Sequence, residues 1–253
     1  DLHPVAHSFS TRRSSDLRNG SACKTEVGGV PGRFFGYVTD GIFQTQEEVD
    51  NYTFTDDDGE ITKIQPKAGP GDFKFKDIAS KNEDGEVVAV PDGVIDESDR
   101  DYIGDPNPDL VYGFDIQCSY KWIDLLISFQ GSYGNDILNF MQYYTMNTGD
   151  VWNKDRKILE AWDGPGSTNE VPILNYKDRN DNLRISDRYI EDGSYLRLKN
   201  MQIGFTIPEK ISSKANISNA RIYFGGRNIL TFTKYSGLEP EIGRDLGTSN
   251  QLT

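Results

Sequence analysis

Histidine is almost missing from these 253 residues: His3 and His7 are the only two. That leaves nothing from which to build a Ser–His or Cys–His triad, a zinc centre or an imidazole general base, and no catalytic residue is expected. Cysteine is equally scarce. Cys23 and Cys118 stand far apart, with no metal-ligand or redox spacing, so two free thiols are expected rather than a disulfide. No apolar run reaches the roughly 18 residues of a membrane-crossing helix. Basic residues are outnumbered, 27 Lys+Arg against 40 Asp+Glu, for a net charge of −13. This disfavours a nucleic-acid partner. A mean hydropathy of −0.62 fits a solvated surface, but alternating barrel strands joined by long polar loops dilute hydropathy in the same way.

Alternation is what the chain has instead. Over Leu110–Gly134, Tyr112, Phe114, Ile116, Cys118 and Tyr120 share one face of a first arm, with Gly113, Asp115, Gln117 and Ser119 on the other. Lys121–Asp124 is predicted as the turn. On the second arm Leu125, Ile127, Phe129 and Tyr133 oppose Ser128, Gln130 and Ser132. Each arm approaches the ~9–11 residues of a tilted membrane-spanning strand. Tyr112, Tyr120, Trp122 and Tyr133 stand where an aromatic girdle would lie. A hairpin of a soluble β-sandwich fits the same pattern.

A second hairpin is predicted from Ser194–Pro208 and Asn219–Ile229. Met201, Ile203, Phe205 and Ile207 alternate with Gln202, Gly204 and Thr206, and Arg221, Tyr223, Gly225 and Arg227 alternate with Ile222, Phe224 and Gly226. Charge confined to one face suits a wet lumen. Further strands are expected near Gly32–Val38 and Gly71–Ile78. The polar stretches of about 40 to 70, 78 to 109, 135 to 193 and 233 to 253 read as loops. Within them Asn153–Trp162 is predicted as a short helix with Ile158, Leu159 and Trp162 as its apolar stripe.

Several literal strings are more specific than these patterns. Ser186-Asp-Arg-Tyr-Ile-Glu-Asp-Gly-Ser-Tyr-Leu-Arg-Leu-Lys-Asn-Met-Gln-Ile-Gly-Phe-Thr-Ile-Pro208 resembles a signature of the SusC/RagA-type TonB-linked outer-membrane transporters. Gly36–Val49, Gln65–Asp77, Ile103–Gly113 and Asn228–Gly237 resemble other blocks of that family and follow in the expected order. The resemblance covers most of residues 30 to 241. It implies an all-β fold: an antiparallel transmembrane β-barrel segment, an incomplete part of a plugged barrel of about 22 strands, with long extracellular loops. It implies nutrient import through the outer membrane of a Bacteroidota-like cell, with oligosaccharide or peptide as substrate. The implied partners are a SusD-like surface lipoprotein, the TonB–ExbB–ExbD complex acting through a plug domain, and outer-membrane lipid. A siderophore or cobalamin receptor of the same fold and a secreted β-sandwich that binds or cleaves glycans are the competing readings.

Residues 1 to 17 stand apart. His7–Leu17 resembles a reading-frame translation of a sequencing-adapter oligonucleotide, and the stretch is expected to be a non-native leader. Residues 18 to 253 are expected to be part of the family's C-terminal barrel region, without its plug domain or final strand. For sites, Asp92-Gly-Val-Ile-Asp-Glu-Ser-Asp99 resembles half of a calcium loop, in which hard oxygen ligands alternate around a glycine turn. Asp77, Asp92, Asp96 and Asp99 are the candidate Ca²⁺ ligands, against the plainer reading of a solvated acidic turn. Tyr143, Tyr144, Trp152 and Trp162 are candidates for stacking on substrate, against plain loop packing.

Overall fold

The computed structural model describes residues 22–26, 28–82, 84–147 and 153–241. The expected leader, Trp152 and the last twelve residues lie outside them. The described residues form two compact units, one from residues 105–139 and 190–241 and the other from residues 22–104 and 140–189.

The first unit is a four-stranded antiparallel sheet. Its strands, Leu110–Tyr120, Ile123–Tyr133, Tyr195–Thr206 and Arg221–Thr233, lie in that order, and among the described residues no strand pairs with either edge. The expected hairpin forms with a tighter turn than predicted. Only Lys121 and Trp122 lie between the strands, and Ile123 and Asp124 already pair with Tyr120 and Ser119. Lys121 takes a positive φ of 53°, which lets so short a connection close.

Register carries the alternation across all four strands. Cys118, Leu125, Ile203 and Phe224 form one cross-strand row, and Tyr120, Ile123, Phe205 and Ile222 the next. Phe114 stacks on Phe129 with ring centroids 4.8 Å apart. The resulting apolar face is uncovered: Phe114 is 48% exposed, Ile203 45% and Phe224 79%. A sandwich would have buried these side chains against a second sheet; a lipid-facing wall would not. Of the expected girdle, Tyr120, Trp122 and Tyr133 are exposed. Tyr112 departs from it. Its ring lies over Gly131, where an added Cβ would sit 2.5 Å from Tyr112 Cζ, and its hydroxyl donates to the Tyr195 carbonyl at 3.3 Å.

The second unit carries a cluster of buried side chains built around Ile42, Phe73 and Phe75, with Tyr37, Ile95 and Trp162 packed against it. Its strands are short: Arg33–Tyr37 pairs with Cys23–Lys24 and Arg100–Gly104, and Thr39–Ile42 pairs with Phe73–Phe75. The expected strands near 32–38 and 71–78 are therefore present, but the polar stretches read as loops hold much of the core. Phe43, Val49, Val171 and Tyr189 are all buried. The predicted helix at 153–162 is corrected to a single 3₁₀ turn, Arg156–Glu160, capped by the Asp155 carboxylate accepting from the Lys157 amide at 2.8 Å. Ala161 leaves the helical region with ψ 149°, so no apolar stripe forms, and Leu159 is 79% exposed.

The two faces of the sheet predict opposite tolerances. Ile203→Arg should cut the amount of heat-modifiable folded barrel in outer membranes, since an arginine on the lipid face costs about 2–4 kcal/mol near the midplane. Gln202→Arg, one residue away on the other face, should leave it near the native level. Equal losses from both would remove the lipid-facing assignment.

Candidate functional site

The polar face of the four-stranded sheet concentrates charge. Asp124 and Arg221 form an ion pair across it. Gly204 lies beneath, where an added Cβ would come within 2.5 Å of either Asp124 carboxylate oxygen. Arg197 is 4% exposed on this face. Its guanidinium pairs with Glu239 and, at 2.7 Å, with Glu241, while Nε donates to Thr231 Oγ1 at 3.0 Å. Glu191 fixes the same following segment by accepting from the Ser236 amide and hydroxyl, both at 2.7 Å. Sequence reading missed Arg197 as a site residue. Its signal is a cation inside an alternating strand with two glutamates downstream.

In the other unit, side chains take the place of strands. Gln65 Nε2 donates to the Phe73 carbonyl at 3.0 Å, and Gln65 Oε1 accepts from the Phe75 amide at 2.8 Å. One carboxamide thus pairs with Phe73–Phe75 as a neighbouring strand would. Asn182 Oδ1 accepts from the Phe73 amide at 2.9 Å, and Asn182 Nδ2 donates to Asp72 at 2.7 Å. Asn180 bridges Gln65, the Phe73 carbonyl and Asn182. The signature segment starts on this core. Arg188 lies between the rings of Phe73 and Tyr189, 4.6 and 4.5 Å from their centroids. Burial pushes the Tyr189 hydroxyl up to about 12, so it stays protonated.

The acidic candidates are engaged with the backbone. Asp77 accepts from the Asp92 amide at 3.2 Å and the Gly93 amide at 2.6 Å. Asp99, fully buried, accepts from Ile78 at 2.8 Å, Ala79 at 3.2 Å and Asp96 at 2.8 Å. Asp96 accepts from Ser98 and Asp92 from Val94. Among the described residues no group of three or more His, Cys, Asp or Glu side chains gathers to hold a metal ion. The four carboxylates of the expected calcium site each accept from backbone amides and are not gathered into such a group.

The aromatic candidates divide. Trp162 packs on the core and donates from Nε1 to Gln44 at 3.1 Å. Tyr143 lies edge-on to buried Tyr189, with centroids 5.6 Å apart. Tyr144, on the short helix Phe140–Thr145, is 54% exposed beside Phe140 and Tyr143.

Two measurements follow for this unit. Asp99→Ala orphans three backbone amides, each costing about 1–3 kcal/mol when buried. Hydrogen exchange over residues 78–99 should accelerate sharply, while the four-stranded sheet keeps its protection. The second concerns Asp72 and Asp77. Burial raises both carboxyls above the ordinary 3.8, against the hydrogen bonds from Asn182 and Gly69 at Asp72 and from Gly93 and Asp92 at Asp77. A group raised on folding binds its proton more tightly in the native state. Its stabilising share is complete below 3.8 and lost as pH rises through the raised value. Thermal unfolding followed from about pH 3 to about pH 6 should lose part of that decline in Asp72→Asn. An unchanged profile would show that Asp72 is not the group responsible.

Comparison with known proteins accounts for this combination of a two-faced wall and a folded loop unit. No family model matches the chain. A TonB-dependent receptor of Formosa agariphila is 33% identical over 233 residues, covering 92% of this chain and 20% of the relative. Another from the same organism is 30% identical over 151 residues, 59% of this chain and 15% of the relative. Among solved structures, one described as the RagAB peptide transporter matches with a TM-score of 0.60 at 25% identity, over 84% of this chain and 20% of that one. The RagAB importer in its "closed-closed" state matches in fold with a TM-score of 0.60 at 24% identity, over 87% of this chain and 21% of that one. The chain thus spans about a fifth of the length of the proteins it matches. It belongs to the SusC/RagA-type TonB-dependent receptors of the bacterial outer membrane.

Proposed function

We propose that residues 18–253 form part of the C-terminal barrel region of an importer for large nutrients, oligosaccharide or peptide. It works with a SusD-like surface lipoprotein and draws energy from TonB–ExbB–ExbD through the family's plug domain. The observation that carries this reading is the four-strand sheet with one face continuously apolar and uncovered and the other charged. Such a wall separates lipid from water. Import changes no covalent bond, in keeping with a chain whose two histidines both fall in residues 1 to 17. The unit built on Phe73–Phe75 is read as the extracellular part, and Tyr144 as its exposed stacking residue for substrate.

Deleting the gene in its host should abolish growth on one class of oligosaccharide or peptide while growth on the corresponding monomers persists. Loss of TonB should give the same phenotype. Undiminished growth of the deletion strain on every polymeric nutrient its parent uses would refute the importer reading. An epitope-tagged receptor solubilised in mild detergent should bring down a surface lipoprotein in stoichiometric amount.

A further inference from the structure

The two ends of the four-stranded sheet differ in charge. Two connections close one end: Lys121–Trp122, and residues 207–220 between the third and fourth strands. They lie side by side, since the Thr206 amide donates to the Trp122 carbonyl at 2.7 Å. Together they hold Lys121, Lys210 and Lys214 against a single carboxylate, Glu209. The far end holds Asp105, Asp109, Asp136, Glu191 and Asp192, with Lys234 as the one lysine there among the described residues. In outer-membrane barrels the short connections face the periplasm, so the lysines mark the periplasmic rim.

Lys121 is turned toward the lipid side of this rim. Its Nζ lies 5.1 Å from the Tyr120 ring centroid and 5.6 Å from that of Trp122. Tyr120 belongs to the last apolar row, with Ile123, Phe205 and Ile222, and is 71% exposed. Ring faces attract an ammonium but leave its N–H donors free for an anion. Among the described residues no carboxylate pairs with Lys121, whereas Arg221, at the same end, is neutralised by Asp124 on the polar face. The neighbouring connection continues the pattern. Ile211 and Ile217 are 62% and 46% exposed there, with Lys210 and Lys214 beside them. Apolar side chains with flanking lysines suit the boundary between acyl chains and headgroups.

We propose that the Lys121–Trp122 turn docks one anionic phospholipid of the periplasmic leaflet. Its phosphate oxygens accept from the Lys121 ammonium, and its acyl chains lie along Tyr120, Ile123, Phe205 and Ile222. A glycerol headgroup leaves the phosphate charge to the lysine. An ethanolamine headgroup brings its own ammonium to the same phosphate and binds less tightly, and a diacylglycerol has no phosphate to offer. The acidic far end repels an anionic headgroup, so the site belongs to one leaflet. It lies outside the import path and rests on the importer reading only for the apolar face being the lipid-facing one.

The test uses the whole receptor that carries this chain, purified and delipidated in mild detergent. Native mass spectrometry then reads its retention of phosphatidylglycerol, phosphatidylethanolamine and diacylglycerol with the same acyl chains. Phosphatidylglycerol should be held most tightly and diacylglycerol about tenfold less so, the loss expected for one charge-assisted hydrogen bond. Lys121→Gln should bring phosphatidylglycerol down to the diacylglycerol level, and Lys121→Arg should keep most of the difference. Lys199→Gln removes the same charge from the polar face, where Lys199 Nζ reaches Gln130 Oε1, and should change nothing. Heat-modifiable gel mobility checks that each variant is a folded barrel. If Lys121→Gln is not, Lys121→Asn removes the charge with a residue that tolerates the turn's positive φ. Diacylglycerol held as tightly as phosphatidylglycerol, equal losses from Lys121→Gln and Lys199→Gln, or displacement of the lipid by inorganic phosphate overturns the proposal. Any of these, in a receptor whose assembly Ile203→Arg still blocks, sinks the lipid site alone. Ile203→Arg and Gln202→Arg tolerated alike would instead sink the lipid-facing wall on which the site rests.

Discussion

The structure depends on keeping two faces apart over four strands. Side chains alternate with a period of two, so a slip of a single residue would exchange the faces. The third strand shows how the phase is kept. Its apolar residues are even-numbered at Leu196 and Leu198 and odd-numbered at Met201, Ile203 and Phe205, yet all share rows with apolar partners on the second strand. Lys199 absorbs the change of parity as an extra residue. Opposite it, the last strand adjusts at Asn228, whose φ of 51° lies in the left-handed region that asparagine tolerates. Sequence parity inverts while the faces stay continuous.

The other unit solves its backbone problem differently. Strands of two to five residues cannot satisfy many amides by pairing with each other. Gln65, Asp72, Asp77, Asp99, Asn180 and Asn182 supply the missing partners from side chains. Cations then close the aromatic core from outside: Arg184 lies 5.1 Å from the Tyr37 ring centroid and 5.2 Å from that of Phe75. Such contacts are direction-specific, and their geometry sets how an irregular chain folds where periodicity gives no instruction.

This difference explains what could be read in advance. The long hairpin, its facing and the strand from Met201 onward were legible because alternation is local and the partner strands repeat it. The turn was misjudged by two residues because Asp124 is a turn former and Trp122–Ile123 interrupt the alternation, whereas Ile123 and Asp124 already pair in the ladder. The core under the polar stretches was hidden. Gln65 lies 115 positions from Asn180, and nothing in either neighbourhood marks them as partners. The acidic loop illustrates the same limit. Spacing showed carboxylates near a glycine turn, but whether such oxygens face an ion or the chain's own amides depends on where the backbone brings its N–H groups.

Arg197 ties the sheet to the segment beyond it. Its counter-charges, Glu239 and Glu241, come from the segment that follows the last strand and not from the sheet itself. A guanidinium that faces water unpaired costs little. Once the following segment lies over it and leaves it 4% exposed, an unpaired charge there would be heavily penalised. The burial of Arg197 and its pairing with Glu239 and Glu241 therefore depend on each other. A segment of the same length and shape but without its carboxylates would leave a buried charge unpaired, so what covers this strand is selected by charge as well as by shape.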